Sequence, residues 1–217
     1  MRYPLLVFDW DGTLSDSTAK VVRAMTRAIT ELGYPAKPPN SIMHTIGLGL
    51  DEAIEVLYSA LSKVERDALK AAFIVNHRGD DCEPDFYPDV LATLYDLKAS
   101  GYTLCVATGK SRVGLDRLLS YHAVTELFSA SRCADETRSK PAPQMLTELL
   151  SHTGFEASEA IMVGDTSFDM IMAQCIGMPR IAVSFGAHAV DQLECYDPLL
   201  VIDNFQSMHH WLSHEGA

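Results

Sequence analysis

Long apolar runs are missing from this chain. A membrane-spanning helix needs roughly 18 consecutive apolar residues, and none occurs, so no membrane association is expected. The short apolar stretch near the N-terminus, Pro4–Phe8, is broken at once by Asp9 and Asp11. A secretory leader would require a longer uninterrupted stretch and a small-residue cleavage site, so a cytoplasmic location is expected. Basic residues are also scarce: Lys and Arg number 17 against 29 Asp and Glu, for a net charge of -12. That field repels a phosphate backbone, which argues against nucleic acid or an anionic membrane as a partner. Cysteines are few, and Cys82, Cys105, Cys133, Cys175 and Cys195 form no CxxC pair. Neither a disulfide framework nor a structural zinc site is indicated. Internal repeats are absent, as are a P-loop and a G-x-G-x-x-G fingerprint, so a nucleotide phosphoryl donor is not indicated.

What is present suffices for a sizeable core. The 217 residues are 47% hydrophobic, and that length suits one large domain or a core with a small insertion. Short apolar runs bounded by turn residues predict strands at Pro4–Phe8, Tyr102–Ala107, Ile161–Val163, Arg180–Ser184 and Leu199–Ile202. Helical spacing follows several of them. Ser111 is a candidate N-cap ahead of Leu115, Leu118 and Leu119, and Gly154 and Gly177 are candidate stops. Alternating strands and helices predict an α/β fold, a mostly parallel sheet with helices on both faces. The stretch from Asp16 to Asp81 breaks the alternation. There Val21, Met25, Ile29 and Leu32 share one helical face. A Pro-rich linker follows (Pro35, Pro38, Pro39), then a helix from about Asp51, then a third helix opened by Ser62 and Glu65 at capping-box spacing. Residues 16–81 therefore read as an all-helical insertion in a core formed by 1–15 and 82–217.

Chemistry gathers where strands are predicted to end. Asp9 and Asp11, two residues apart, follow the first strand and precede Gly12. They should project beyond the carboxyl edge of the sheet, where open parallel sheets bind ligands. Two such close carboxylates call for a compensating cation or partner. The second strand runs into Thr108, Gly109 and Lys110, either an anion-holding turn or a simple ST-turn. Lys140 precedes Pro141 and Pro143, and Asp165 and Asp169 follow another apolar strand. Alone, each segment could be a turn, an exposed lysine or a helix N-cap. Together they supply carboxylates at Asp9, Asp11 and Asp165 for a hard cation such as Mg²⁺, and Thr108 and Lys140 for a phosphate.

In order, the stretches DWDGTLSDS (Asp9–Ser17), ATGK (Ala107–Lys110), KPAP (Lys140–Pro143) and VGDTSFD (Val163–Asp169) resemble the haloacid dehalogenase superfamily. The nearest subgroup looks like the phosphoglycolate-phosphatase-like phosphatases with a helical cap on a Rossmann-like core. The resemblance implies Asp9 as nucleophile, Asp11 as acid and base, and Mg²⁺ held by Asp9, the Asp11 carbonyl and Asp165, with Asp169 in support. It implies phosphoryl binding by Thr108, Gly109 and Lys140. The substrate would be a small phosphorylated metabolite and the protein a monomer or homodimer. Dehalogenases of that superfamily lack the second Asp, and its phosphonoacetaldehyde hydrolases have a small residue in place of Asp11; here Asp11 is present. A phosphomutase such as β-phosphoglucomutase shares all four motifs and stays open, as does a non-catalytic phospho-ligand sensor, although a sensor has no need of both Asp9 and Asp11. Thr45–Leu50 resembles a substrate-facing cap loop, with a plain inter-helix turn as the alternative. His209, His210 and His214 read as the solvated face of a terminal helix.

Overall fold

The computed structural model describes residues 2–79 and 83–214. Six strands form one sheet: β1 (Leu5–Phe8), β2 (Thr103–Thr108), β3 (Ala130–Cys133), β4 (Ala160–Gly164), β5 (Arg180–Val183) and β6 (Leu200–Ile202). Their order is β3-β2-β1-β4-β5-β6, and every pair is parallel. Alternation along each central strand sends side chains to opposite faces. Leu6, Phe8, Leu104, Val106, Ile161 and Val163 join one core cluster. Leu5, Val7, Cys105, Ala107, Ala160 and Met162 join the other. Both faces are covered, which is why these strands read in sequence as unbroken apolar runs.

Ten α-helices complete the described residues. Four lie between β1 and β2: α1 (Thr18–Glu31), α2 (Pro39–Met43), α3 (Leu50–Leu57) and α4 (Lys63–Gly79). The others are α5 (Val90–Ala99), α6 (Arg112–Tyr121), α7 (Gln144–Thr153), α8 (Ser167–Gln174), α9 (Val190–Glu194) and α10 (Phe205–His214). The local signals hold. The Ser111 hydroxyl accepts from the Gly114 N–H at 3.2 Å. Ser62 and Glu65 cap α4 reciprocally, at 2.8 Å and 3.4 Å. Gly154 takes φ +78° and Gly177 φ +67° just past α7 and α8, the left-handed conformation glycine adopts without penalty.

Three expectations need correction. Strand β3 was not foreseen, because it lies at the sheet edge and pairs only with β2. Only Cys133 of its four residues is buried, so no apolar run marks it. The Pro-rich linker contains helix α2, with Pro39 at its first position, where a missing N–H costs nothing. Leu32 leaves the apolar face of α1; it caps the helix and is 38% exposed.

Helices α1–α4 bury a cluster of their own, including Met25, Ile29, Ile42, Ile54, Leu57 and Leu69. The chain segments leading out and back lie side by side. The Asp16 N–H donates to the Asp85 carbonyl at 2.9 Å and the Tyr87 N–H to the Leu14 carbonyl at 3.0 Å. The Cys82 end of the expected return linker lies outside the described residues.

Candidate functional site

Register decides what meets at the carboxyl edge. Phe8 is level with Val106 of β2 and Val163 of β4, so β2 and β4 end within two residues of the end of β1. Asp9, Thr108 and Asp165 thus emerge side by side. Lys140, from the loop between β3 and α7, comes up beneath them, 2.7 Å from Asp9 Oδ1 and 2.6 Å from Asp169 Oδ1. It is 1% exposed, the opposite of the exposed lysine its Pro-rich loop alone would suggest.

Each carboxylate has its own anchor. Asp9 Oδ1 also accepts from the Trp10 N–H at 2.7 Å, whereas Asp9 Oδ2 is buried without a hydrogen-bond partner among the described residues. Asp165 accepts from the Thr13 hydroxyl and the Ala187 N–H, both at 2.7 Å. Asp169 caps α8 jointly with Thr166, taking the Thr166 hydroxyl at 2.7 Å and its N–H at 3.1 Å. Thr166 is the N-cap itself, so the N-cap role considered for Asp165 or Asp169 belongs to neither. Two glycines make room for Asp165. A Cβ on Gly12, which has φ +79°, would sit 2.2 Å from its Oδ2, and one on Gly186 would sit 2.1 Å from its Cβ.

Asp11 stands apart from that cluster. Its carboxylate pairs with Lys110 Nζ at 2.8 Å and accepts from the Ser17 hydroxyl. Lys110 was not assigned a role from sequence; its place beside Thr108 and Gly109 was the available signal. The Thr108 hydroxyl accepts from the Lys110 N–H at 3.2 Å, so the ST-turn is real, and among the described residues the hydroxyl proton is donated to no partner.

The electrostatics follow from burial. Asp9, Asp165 and Asp169 offer carboxylate oxygens within 4.8 Å of one another, facing the single ammonium of Lys140. Burial, followed by repulsion from Asp169 and Asp165, lifts Asp9 well above the usual carboxylate range despite Lys140. Burial and Asp169 raise Asp165 to about 7. Burial works against the charge on Lys140, but Asp169 and Asp9 more than offset it. Burial likewise opposes ionisation of Asp11, yet Lys110 and Ser17 hold its carboxyl low. A divalent cation among the three buried carboxylates would, with Lys140, bring the cluster to neutrality, and carboxylate oxygens are the donors a hard cation takes, so the residues fit a hard metal ion.

A cavity of about 290 Å³ opens above this cluster, between α1–α4 and the sheet edge. Asp9, Asp11, Gly109 and Lys110 reach its wall; Thr108, Lys140, Asp165 and Asp169 do not. The Thr45–Leu50 segment forms part of the opposite wall. It is clamped to the edge: the Gly49 N–H donates to the Ser139 hydroxyl at 2.7 Å, and the Leu48 and Gly47 carbonyls lie 2.4 Å and 2.7 Å from where a Gly109 Cβ would stand. His188 adds a further tie, accepting from the Ser167 N–H at 3.1 Å and meeting the His44 carbonyl at 3.3 Å.

Known proteins resemble this chain in sequence and in fold. A family model described as haloacid dehalogenase-like hydrolase matches residues 6–183. A protein of Dickeya dadantii named "Probable phosphatase IndB" is 34% identical, over 94% of this chain and 91% of that protein. A phosphoglycolate phosphatase of Aliivibrio fischeri is 34% identical, over 93% of each. Among solved structures, a haloacid dehalogenase-like hydrolase family protein of Streptococcus pneumoniae superposes with a TM-score of 0.84 at 22% identity, over 97% of this chain and 99% of that one. That last likeness speaks to the fold alone.

Proposed function

Because the chain belongs to the haloacid dehalogenase-like hydrolase family, we propose that it is a metal-dependent phosphatase acting on a small phosphorylated metabolite. The observation that carries this reading is the buried Lys140 held between Asp9 and Asp169 at 2.7 Å and 2.6 Å, beside an Asp9 oxygen with no partner. Mg²⁺ bound by Asp9, Asp165 and the Asp11 carbonyl, with Asp169 in support, would draw charge from the phosphoryl oxygens. Lys140 and the Trp10 N–H fix Asp9 Oδ1 and present Oδ2 to phosphorus. The bond from Oδ2 to phosphorus forms as the ester oxygen leaves, giving an aspartyl phosphate. Asp11 protonates the departing oxygen, then takes a proton from the water that attacks phosphorus, which restores Asp9 and frees orthophosphate. An anionic phosphoryl group beside Asp11 competes for Lys110 and so raises the proton affinity of the carboxyl. The Gly109 N–H, Thr108 hydroxyl and Lys140 would hold the transferred oxygens. The relatives named phosphoglycolate phosphatase support assigning this chain to the same subgroup of phosphatases.

Orthophosphate release from a panel of metabolite monoesters, with Mg²⁺ and after chelation, tests the proposal. Mg²⁺-dependent release is expected, and Asp9→Asn should lower turnover at least about a thousandfold, roughly 4 kcal/mol of barrier. Chelation without effect would remove the metal. Turnover by Asp9→Asn within about tenfold of the parent would remove the nucleophile. An isomerised ester in place of orthophosphate would identify a mutase.

A further inference from the structure

The cavity above Asp9 has two unlike walls. On the sheet side are the polar groups, Asp11 and Lys110 among them. On the insert side are Val21 and Met25 of α1, Ile42 of α2, Ile46, and Phe73 and Ile74 of α4. Three of its four cations are already engaged. Lys110 pairs with Asp11 at 2.8 Å, Lys70 with Asp51 at 2.6 Å, and Arg117 with Glu83. Arg78, the remaining cation on the wall, is exposed to solvent at the end of α4. Asp9, Asp11, Asp51, Glu52 and Asp135 also face or rim the space. A second anionic group on the substrate would therefore find only the solvent-exposed Arg78 unpaired among the described cations of the wall, and deeper in the cavity would lie against carboxylates or hydrocarbon.

Among the described residues, one side chain on the insert wall that is polar without being an acid or a strong base is uncommitted. His77, on the last turn of α4, lines the cavity, stacks at a tilt on Phe73 at 5.5 Å and makes no hydrogen bond to any described residue. Burial, with Lys110 next, lowers its pKa to about 4, so at neutral pH the imidazole is uncharged and offers one donor and one acceptor.

We propose that this cavity is a leaving-group site for a phosphate monoester of an uncharged alcohol with an apolar body, whose polar substituent hydrogen-bonds to His77. The inference rests on the phosphatase reading and narrows its substrate class. The phosphoryl group lies against Asp9, the carbon skeleton along Met25, Phe73 and Ile74, and a hydroxyl or amide close to the ester reaches the imidazole. Apolar contact there favours longer skeletons by removing their surface from water. A short hydroxy-acid phosphate would leave most of the space unfilled and set its carboxylate beside a neutral imidazole.

Primary alkyl phosphates test this on the full-length protein with Mg²⁺, because ethanol and n-pentanol are leaving groups of similar acidity. kcat/KM is expected to rise at least about tenfold from ethyl to n-pentyl phosphate, equivalent to about 1.4 kcal/mol. n-Pentyl phosphate should also exceed phosphoglycolate. Phe73→Ala should compress the pentyl-to-ethyl ratio severalfold. His77→Ala should raise KM for glycerol 1-phosphate more than for n-pentyl phosphate, and His77→Gln, which keeps a donor and an acceptor, should restore much of the loss. Should either variant fail to fold, the chain-length series with the parent protein still decides. A flat series, or phosphoglycolate as the best substrate, overturns the proposal while leaving the phosphatase reading intact. No orthophosphate from any ester overturns that reading and the proposal with it.

Discussion

Lys140 shows how one side chain can hold a site together. It is fully enclosed with two carboxylates at 2.7 Å and 2.6 Å. Removing one partner of a buried ion pair strands the other charges, a loss of about 3–5 kcal/mol. Lys140→Met, similar in length but uncharged, should therefore lower the free energy of urea unfolding by about that amount; an unchanged midpoint would show that Asp9 and Asp169 do not depend on Lys140 for compensation. The cysteines supply a second residue-scale test. Burial raises Cys105 to about 11 and Cys133 to about 12, whereas Cys175 and Cys195 are exposed. Since the thiolate is the reactive form, iodoacetamide at pH 8 should label Cys175 and Cys195 within minutes and leave Cys105 and Cys133 unmodified until the protein unfolds, as read by peptide mass spectrometry.

At the scale of elements, the decisive contact is between the loop joining α2 to α3 and the turn after β2. Gly109 lies so close beneath the Gly47 and Leu48 carbonyls that any Cβ would stand 2.4 Å from the nearer oxygen, a distance that the backbone must relieve by moving. Gly109→Ala should thus push the loop away from the sheet edge. The expected outcome is at least about a tenfold fall in kcat/KM, with faster amide hydrogen exchange over residues 45–50 and unchanged exchange in β1 and β4. Equal exchange in the parent and the variant would mean that the loop is not seated by this contact. The paired linkers, joined by two backbone hydrogen bonds at 2.9 Å and 3.0 Å, give the insert a defined axis about which such movement can occur.

Across the whole molecule, net charge sets the approach of substrate. A protein of charge -12 repels an anionic ester at long range, and salt screens that repulsion over a Debye length of about 10 Å at 0.1 M. kcat/KM for a monoester should rise severalfold as ionic strength increases from about 10 mM to about 150 mM at constant Mg²⁺. A fall would show that Lys110, Arg117 and Arg78 around the cavity dominate the field that the substrate meets.

The sequence by itself determined most of the elements and which polar groups stand at their ends. Strands buried on both faces leave apolar runs, and helices announce themselves through caps such as Ser111, Ser62 and Gly154, all local signals that survive without a fold. Asp9, Asp11, Thr108, Lys140 and Asp165 were legible because each sits beside such a signal, at the end of a strand or the start of a helix. The tertiary structure decided what these groups meet. Edge strand β3, with one buried residue of four, carries no periodicity to read. The burial of Lys140, the engagement of Asp11 by Lys110 and the seating of Gly47 over Gly109 join segments tens to more than a hundred residues apart. His77 faces the cavity because α4 packs along α1, not because of anything in its own neighbourhood of the chain. Periodicity encodes which face of an element is buried; which distant side chain fills the space opposite is fixed only when the sheet order and the insert bring the two together.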